Sequence, residues 1–125
     1  MRVAPTVLIF ALAFSAFAGV EEPNKLDIIS INKERTEVTL SLIQQLSWNR
    51  KTLSMLETKL GKYVSYIERG QLQNQVPESK GMLVAIHISY FDEPDGVATE
   101  QLTSIRETLA RRKIKLSWSK FAKPG

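Results

Sequence analysis

The stretch that decides the fold is "MLVAIHISYF", residues 82–91. Successive side chains of a β-strand point to opposite faces, and this stretch separates on that period into one set that is wholly apolar and one that is mixed. The mixed set combines apolar residues with serine and the only histidine of the chain, His87. A strand of this kind is covered mainly on one side, because only one of its faces is uniformly apolar. The apolar set consists of Met82, Val84, Ile86, Ile88 and Tyr90.

A turn, a helix and a second strand follow this first strand. "DEPDG" at 92–96 has the proline and glycine of a turn, and apolar residues then recur at helical spacing from Ala98 to Leu109. "KIKLSWSKF" at 113–121 alternates again. Residues 82–121 therefore predict a strand–helix–strand (βαβ-like) unit with parallel strands. Two strands are too few to be stable, so another element must cover or extend this small sheet.

Upstream, a long apolar stripe predicts one long amphipathic helix, with residues 24–74 mainly helical. Asn49 falls on this stripe, where it would either fix the register of a coiled coil or lie at the margin of the packed face or where the helix meets solvent; we favour the second alternative. Leu26–Ile31 is interpreted as the lead-in to the helix, with a third strand as the alternative. The stripe consists of Val38, Leu42, Leu46, Leu53, Leu56, Leu60, Val64 and Ile67.

The N-terminus, "MRVAPTVLIFALAFSAFAGVEEP", has the three parts of a secretory signal peptide. A single cation, Arg2, precedes an apolar run, and small residues at Ala16 and Ala18 suit a cut after Ala18. We therefore predict a cleaved signal peptide over 1–18 and a single small α+β domain over 19–125, periplasmic or secreted. The alternative is an uncleaved single-pass anchor of an envelope or secretion-assembly component.

Composition narrows the chemistry. A chain of 125 residues holds one domain, and the absence of cysteine excludes disulfides, thiolate metal sites and a cysteine nucleophile. The chain has 17 basic and 13 acidic residues. The cations are concentrated at the end, because residues 102–125 contain seven Lys or Arg and only one acid, Glu107. The protein therefore has a mildly acidic body and a basic end.

No constellation of catalytic or metal-ligating residues accompanies the single histidine. Ser89 or Ser117 could approach His87 across the sheet, which makes a hydrolase a lesser alternative, but no Gly-x-Ser-x-Gly motif is present. The acids at 92–95 lack calcium-loop spacing, and there is no phosphate-binding or dinucleotide-binding glycine motif. The sequence predicts a protein that is not an enzyme and carries no cofactor and no metal.

These observations predict an exported protein that binds a macromolecular partner, or itself, through its long helix and a sheet edge. An anionic lipid surface stays open as a partner, since lysines alternate with apolar residues at the basic end. Nucleic acid is disfavoured because an exported chain seldom meets it, and no small-molecule substrate is evident. Solvated lysines on a terminal strand are the simplest alternative. The candidate partner-binding residues are Trp48, Met55, Lys113, Lys115 and Lys120.

Overall fold

The computed structural model describes residues 7–12 and 27–121. It has the α+β class expected from the sequence: a mixed sheet with helices packed on one face. In chain order the elements are β1 (Val7–Leu12), β2 (Asp27–Asn32), β3 (Glu37–Gln44), α1 (Arg50–Glu68), α2 (Gln71–Gln75), a 3₁₀ turn (Pro77–Ser79), β4 (Leu83–Tyr90), α3 (Gly96–Arg111) and β5 (Ile114–Lys120).

The strands lie in the order β1-β2-β3-β4-β5. Strands β2 to β5 form a four-stranded mixed sheet, in which β2 is antiparallel to β3 while β3, β4 and β5 are mutually parallel. Strand β1 extends this sheet antiparallel to β2. The prediction of a parallel βαβ unit over 82–121 is confirmed, and β3-α1-β4 makes a second such unit upstream of it.

Both long helices cover the same face of the sheet, and the core lies between them and the strands. Buried side chains of α1, including Leu56, Leu60 and Tyr63, share one cluster with Leu102 and Leu109 of α3. The strands contribute alternate residues, because the period of two places every second side chain toward the helices. On the sheet side the cluster contains Ile29, Ile31, Val38, Leu40, Leu42, Ile86, Ile88, Ile114 and Leu116.

The prediction that residues 24–74 are mainly helical is wrong for the first half of that range. Residues 27–32 and 37–44 are strands, and the long helix begins only at Arg50. The misreading has a simple cause: Val38 and Leu42 are four apart, a spacing that also fits a strand, and Leu40 between them is equally buried. From Leu53 onward the apolar stripe does lie on a helix.

The structure also assigns the segment before the long helix and the residue at which that helix starts. For Leu26–Ile31 the alternative interpretation, a third strand, is the correct one, because Asp27–Asn32 is β2 and not the lead-in to a helix. Asn49 does not fix a coiled-coil register: it is exposed and caps α1, its Oδ1 accepting the Thr52 amide at 2.9 Å. The predicted signal peptide lies mostly outside the described residues, apart from β1, and it stays a prediction.

Candidate functional site: the open face and the basic edge

The side of β3, β4 and β5 that faces away from the helices carries mostly small and polar side chains. Among the described residues, no helix packs on it. The alternation that buries Leu42, Ile88 and Leu116 places hydroxyl groups and His87 on this opposite side. We call it the open face; it consists of Glu37, Thr39, Ser41, Ile43, Leu83, Ala85, His87, Ser89, Lys115, Ser117 and Ser119.

His87 lies at the centre of the open face and bonds to two serines of β5. Its Nδ1 lies 2.7 Å from the Ser117 Oγ, and its Nε2 lies 2.9 Å from the Ser119 Oγ. One ring nitrogen donates and the other accepts, because a serine hydroxyl can take either role. Partial burial lowers the pKa of His87, which favours the neutral ring.

The sequence correctly suggested Ser117 as a neighbour of His87 but missed Ser119. The signal that would have identified Ser119 is the register, since the parallel pairing sets His87 opposite Ser117 and Ser89 opposite Ser119. No carboxylate bonds to His87 among the described residues, so the ring has hydroxyl partners only. A serine triad needs an acid that orients the imidazole and stabilises its charged form. The contacts are those of a hydrogen-bonded sheet histidine.

The predicted lysines lie along β5, the last strand of the sheet. Lys113, Lys115 and Lys120 are all exposed, and none of them makes an ion pair within residues 27–121. Arg112, by contrast, is neutralised by Glu68, whose Oε1 lies 3.0 Å from its Nη1. The outer side of β5 has no strand partner in the described sheet. We call this unpaired side of β5, with its three lysines, the basic edge.

A groove of about 600 Å³ follows the first half of the basic edge. The Leu83 and Val84 end of β4 forms one wall, and Arg106 and Ala110 of α3 form another. The Arg106 guanidinium lies 5.0 Å from the centre of the Trp118 ring, an arrangement that holds a cation beside the strand. The groove therefore combines an open strand edge and apolar walls with three cations, Arg106, Lys113 and Lys115, against one acid, Glu37.

The two other predicted residues, Trp48 and Met55, do not belong to this groove. Trp48 is half-buried; its Nε1 donates to the Asp92 carbonyl at 2.7 Å, and its ring meets Tyr90 edge-on. Met55 lines a separate groove of about 300 Å³ beside Leu46. The structure thus assigns Trp48 mainly to packing at the carboxyl end of the sheet and does not unite it or Met55 with Lys113 and Lys115.

A further cavity of about 430 Å³ lies where the N-termini of α1 and α3 meet, beside Trp48 and Val97. Its helix ends are already capped by the chain, since Asn49 accepts the Thr52 amide and Asp95 accepts the Ala98 amide. Within residues 7–12 and 27–121, no cluster of three or more histidine or carboxylate side chains could hold a metal ion. The helices described there are too short or too polar to cross a membrane.

Comparison with known proteins gives a single finding. A protein-family model, described as a family of unknown function (DUF6572), matches residues 18–122 and so covers nearly the whole chain. No curated protein and no solved structure matches the chain.

Proposed function

The chain belongs to this family of unknown function, and we propose that it is an exported, non-enzymatic protein that binds an acidic, extended segment of a partner protein at the basic edge. One observation carries the proposal: β5 ends the described sheet with its outer backbone unpaired and three exposed lysines that have no ion-pair partner there. An unpaired strand edge is a template on which an incoming strand can form main-chain hydrogen bonds.

The positive charge along the basic edge favours an acidic strand over a basic one. Lys115 projects on the open face, Lys120 lies at the far end of β5, and Arg106 stands over Trp118 on the helix side. A second β5 pairing with the first would bring lysines against lysines, which is unfavourable across a strand pair. An acidic segment meets the same lysines with attraction, which speeds association and selects the partner. The groove walls would receive its apolar side chains.

Export is the second part of the proposal, and it rests on the sequence. The apolar run, the small residues at Ala16 and Ala18, and the polar start of the following segment form a signal-peptide pattern. The family match begins at Ala18, beside the proposed cut, and so leaves out all but the last residue of the segment that cleavage would remove. Cleavage would also remove β1 and leave β2 as the second sheet edge.

The intact mass of the protein recovered from the cell envelope or the medium tests export. The proposal expects a product that begins at Gly19, whereas a full-length product found only in membranes would support the anchored alternative. The binding measurements below use the protein as recovered, with the N-terminus that this mass defines.

Binding at the basic edge can be tested by calorimetry with a peptide of alternating valine and glutamate, about eight residues long, the length of a typical strand. The variant Lys113→Gln/Lys115→Gln/Lys120→Gln should bind it much more weakly, and rising salt should weaken the wild-type complex. The matched control, Lys33→Gln/Lys51→Gln/Lys80→Gln, removes the same charge from exposed sites elsewhere. An equal loss of affinity in both variants would contradict a site at β5.

Backbone pairing has its own control. The same peptide with N-methyl groups on alternate residues cannot donate along one edge, and one of its two methylated forms should fail to bind while the other binds. Vesicles that contain anionic lipids test the alternative that the partner of the basic edge is a membrane surface. Binding to the vesicles but not to the unmethylated peptide would replace a protein partner with a membrane surface.

A further inference from the structure

Exposed apolar side chains are concentrated on the open face and its continuation. Four large hydrophobic residues are exposed among residues 28–121: Leu83 is 66% exposed, Phe91 45% and Phe121 38%, and the fourth, Val97, lies in the first turn of α3. Leu83 stands at the amino end of β4. Phe91 and Phe121 continue the alternation of β4 and β5, and their rings stack with centres 5.2 Å apart. The open face thus has an apolar group at each end.

The centre of the open face carries small side chains and no Asp, Glu, Lys or Arg. The small residues there are Thr39, Ser41, Ala85, Ser89 and Ser117, and the His87 ring is fixed by its hydrogen bonds to two serines. A face of small side chains allows another sheet to approach to the usual distance of about 10 Å. The face therefore has the shape that sheet-on-sheet packing requires.

Only two charged side chains stand on the open-face positions of the three strands, and they have opposite signs. Glu37 is on β3 and Lys115 is on β5, on either side of β4 and both toward the amino end of the parallel strands. Neither of them makes an ion pair within the described residues. Consider two copies packed open face to open face and related by a two-fold axis that runs between them, parallel to β4. The β3 of one copy then lies opposite the β5 of the other, so that Glu37 of one copy faces Lys115 of the other.

We infer that the open face binds the open face of a second copy of this chain, with β4 packed on β4 and two reciprocal pairs between Glu37 and Lys115. The register supports the pairing: Glu37 is level with Leu83 and Lys115 with Ala85, so the two charges are offset by about two residues, or roughly 7 Å, which long side chains can span. The same axis brings Leu83 onto Leu83; it engages Lys115 of the basic edge but leaves the outer backbone of β5, Lys113 and Lys120 accessible. Aligned sheets commonly pack in this way.

The size of the face sets the strength of the contact. The three strands of the open face, spaced about 4.8 Å apart and about eight residues long, offer roughly 400 Å² per copy, hence roughly 800 Å² in total. That value lies below the usual range of stable specific interfaces, which points to a weak, reversible dimer with a dissociation constant of about 10–100 µM.

Charge reversal provides the test, by sedimentation velocity of the purified protein over a concentration series. Glu37→Lys and Lys115→Glu should each raise the dissociation constant of the dimer at least tenfold, since each places like charges at both reciprocal pairs. The double variant Glu37→Lys/Lys115→Glu should restore dimerisation. A mixture of the two single variants should form a heterodimer, because both of its pairs are then opposite in sign.

The control variants Lys51→Glu and Glu107→Lys make the same charge changes on exposed helix positions and should leave the dimer unchanged. Circular dichroism of every variant separates weakened association from misfolding. A wild-type protein that is monomeric at about 100 µM would overturn the inference. So would a dimer that the single reversals leave intact, or one that the double reversal fails to restore.

Discussion

Two glycines offer a sharp test of the backbone that the structure describes. Gly61 lies inside α1, is exposed, and has no atom within 4 Å of the position that an added Cβ would take. Gly70 also has open space around that position, but its φ is +81°, in the left-handed region where it ends α1. The change to alanine is thus identical in chemistry and in available space at the two sites, and only the backbone conformation differs.

The expected effects have opposite signs. Alanine at 61 should raise the free energy of unfolding by about 0.5–1 kcal/mol, because glycine in a helix interior has more conformational freedom to lose on folding. Alanine at 70 should lower it by about 1–2 kcal/mol, the cost of placing an L-residue with a Cβ in the left-handed region. For a domain of about 100 residues, 1 kcal/mol corresponds to roughly 4–8 °C in Tm.

Urea unfolding followed by circular dichroism, with thermal melts as a second measurement, would determine both values. Gly61→Ala should move the midpoint up and Gly70→Ala should move it down, with the slope m unchanged in each case. A loss of stability in Gly61→Ala would refute the argument, because it would mean that Gly61 does not lie in an open helix interior. Equal effects at both sites would show that the backbone at Gly70 is not left-handed.

Three further changes probe the cap, the core and the histidine. Asn49→Ala should cost about 1 kcal/mol of unfolding free energy through the lost cap, and Asn49→Asp should retain most of it. Leu102→Ala, at a fully buried site, should cost about 2–5 kcal/mol, whereas Val97→Ala on the exposed surface should stay within about 0.5 kcal/mol. Burial lowers the pKa of His87, so the unfolded chain binds the proton more readily and stability should fall as the pH drops below about 6.5. His87→Gln should remove that part of the pH dependence in urea titrations at pH 5 and 7.5.

The second half of the fold was predictable because its patterns are unambiguous. Strict alternation in 82–91 and 113–121, separated by a turn and a helix, predicts a strand–helix–strand unit, and the structure confirms it. The first half was not predictable in the same way. Val38 and Leu42 are four residues apart, a spacing that fits both a helix and a strand. The turn at 33–36 contains neither proline nor glycine to mark it, although Thr36 has a φ of +53°.

The candidate surfaces were predictable only in part, for a related reason. A single strand shows which residues share a face, so Lys115 was correctly placed on the side away from Ile114 and Leu116. Which residues meet across strands depends on register, and register comes from the whole sheet. The pairing of β3 with β4 sets Glu37 level with Leu83. A pattern that predicts helix over 37–44 cannot reveal this pairing.

The parallel pairing of β4 on both sides has a consequence for how the chain folds. Val84 pairs with Val38 on one side and with Ile114 on the other, so neither neighbour of the most apolar strand is close to it in sequence. Closing such long loops costs entropy before any contact repays it, which slows folding and prolongs exposure of β4. Until β5 is in place, residues 82–91 present an apolar edge to other molecules. Refolding yield should therefore fall steeply with protein concentration, and the docking of β5 onto β4 ends this vulnerable interval.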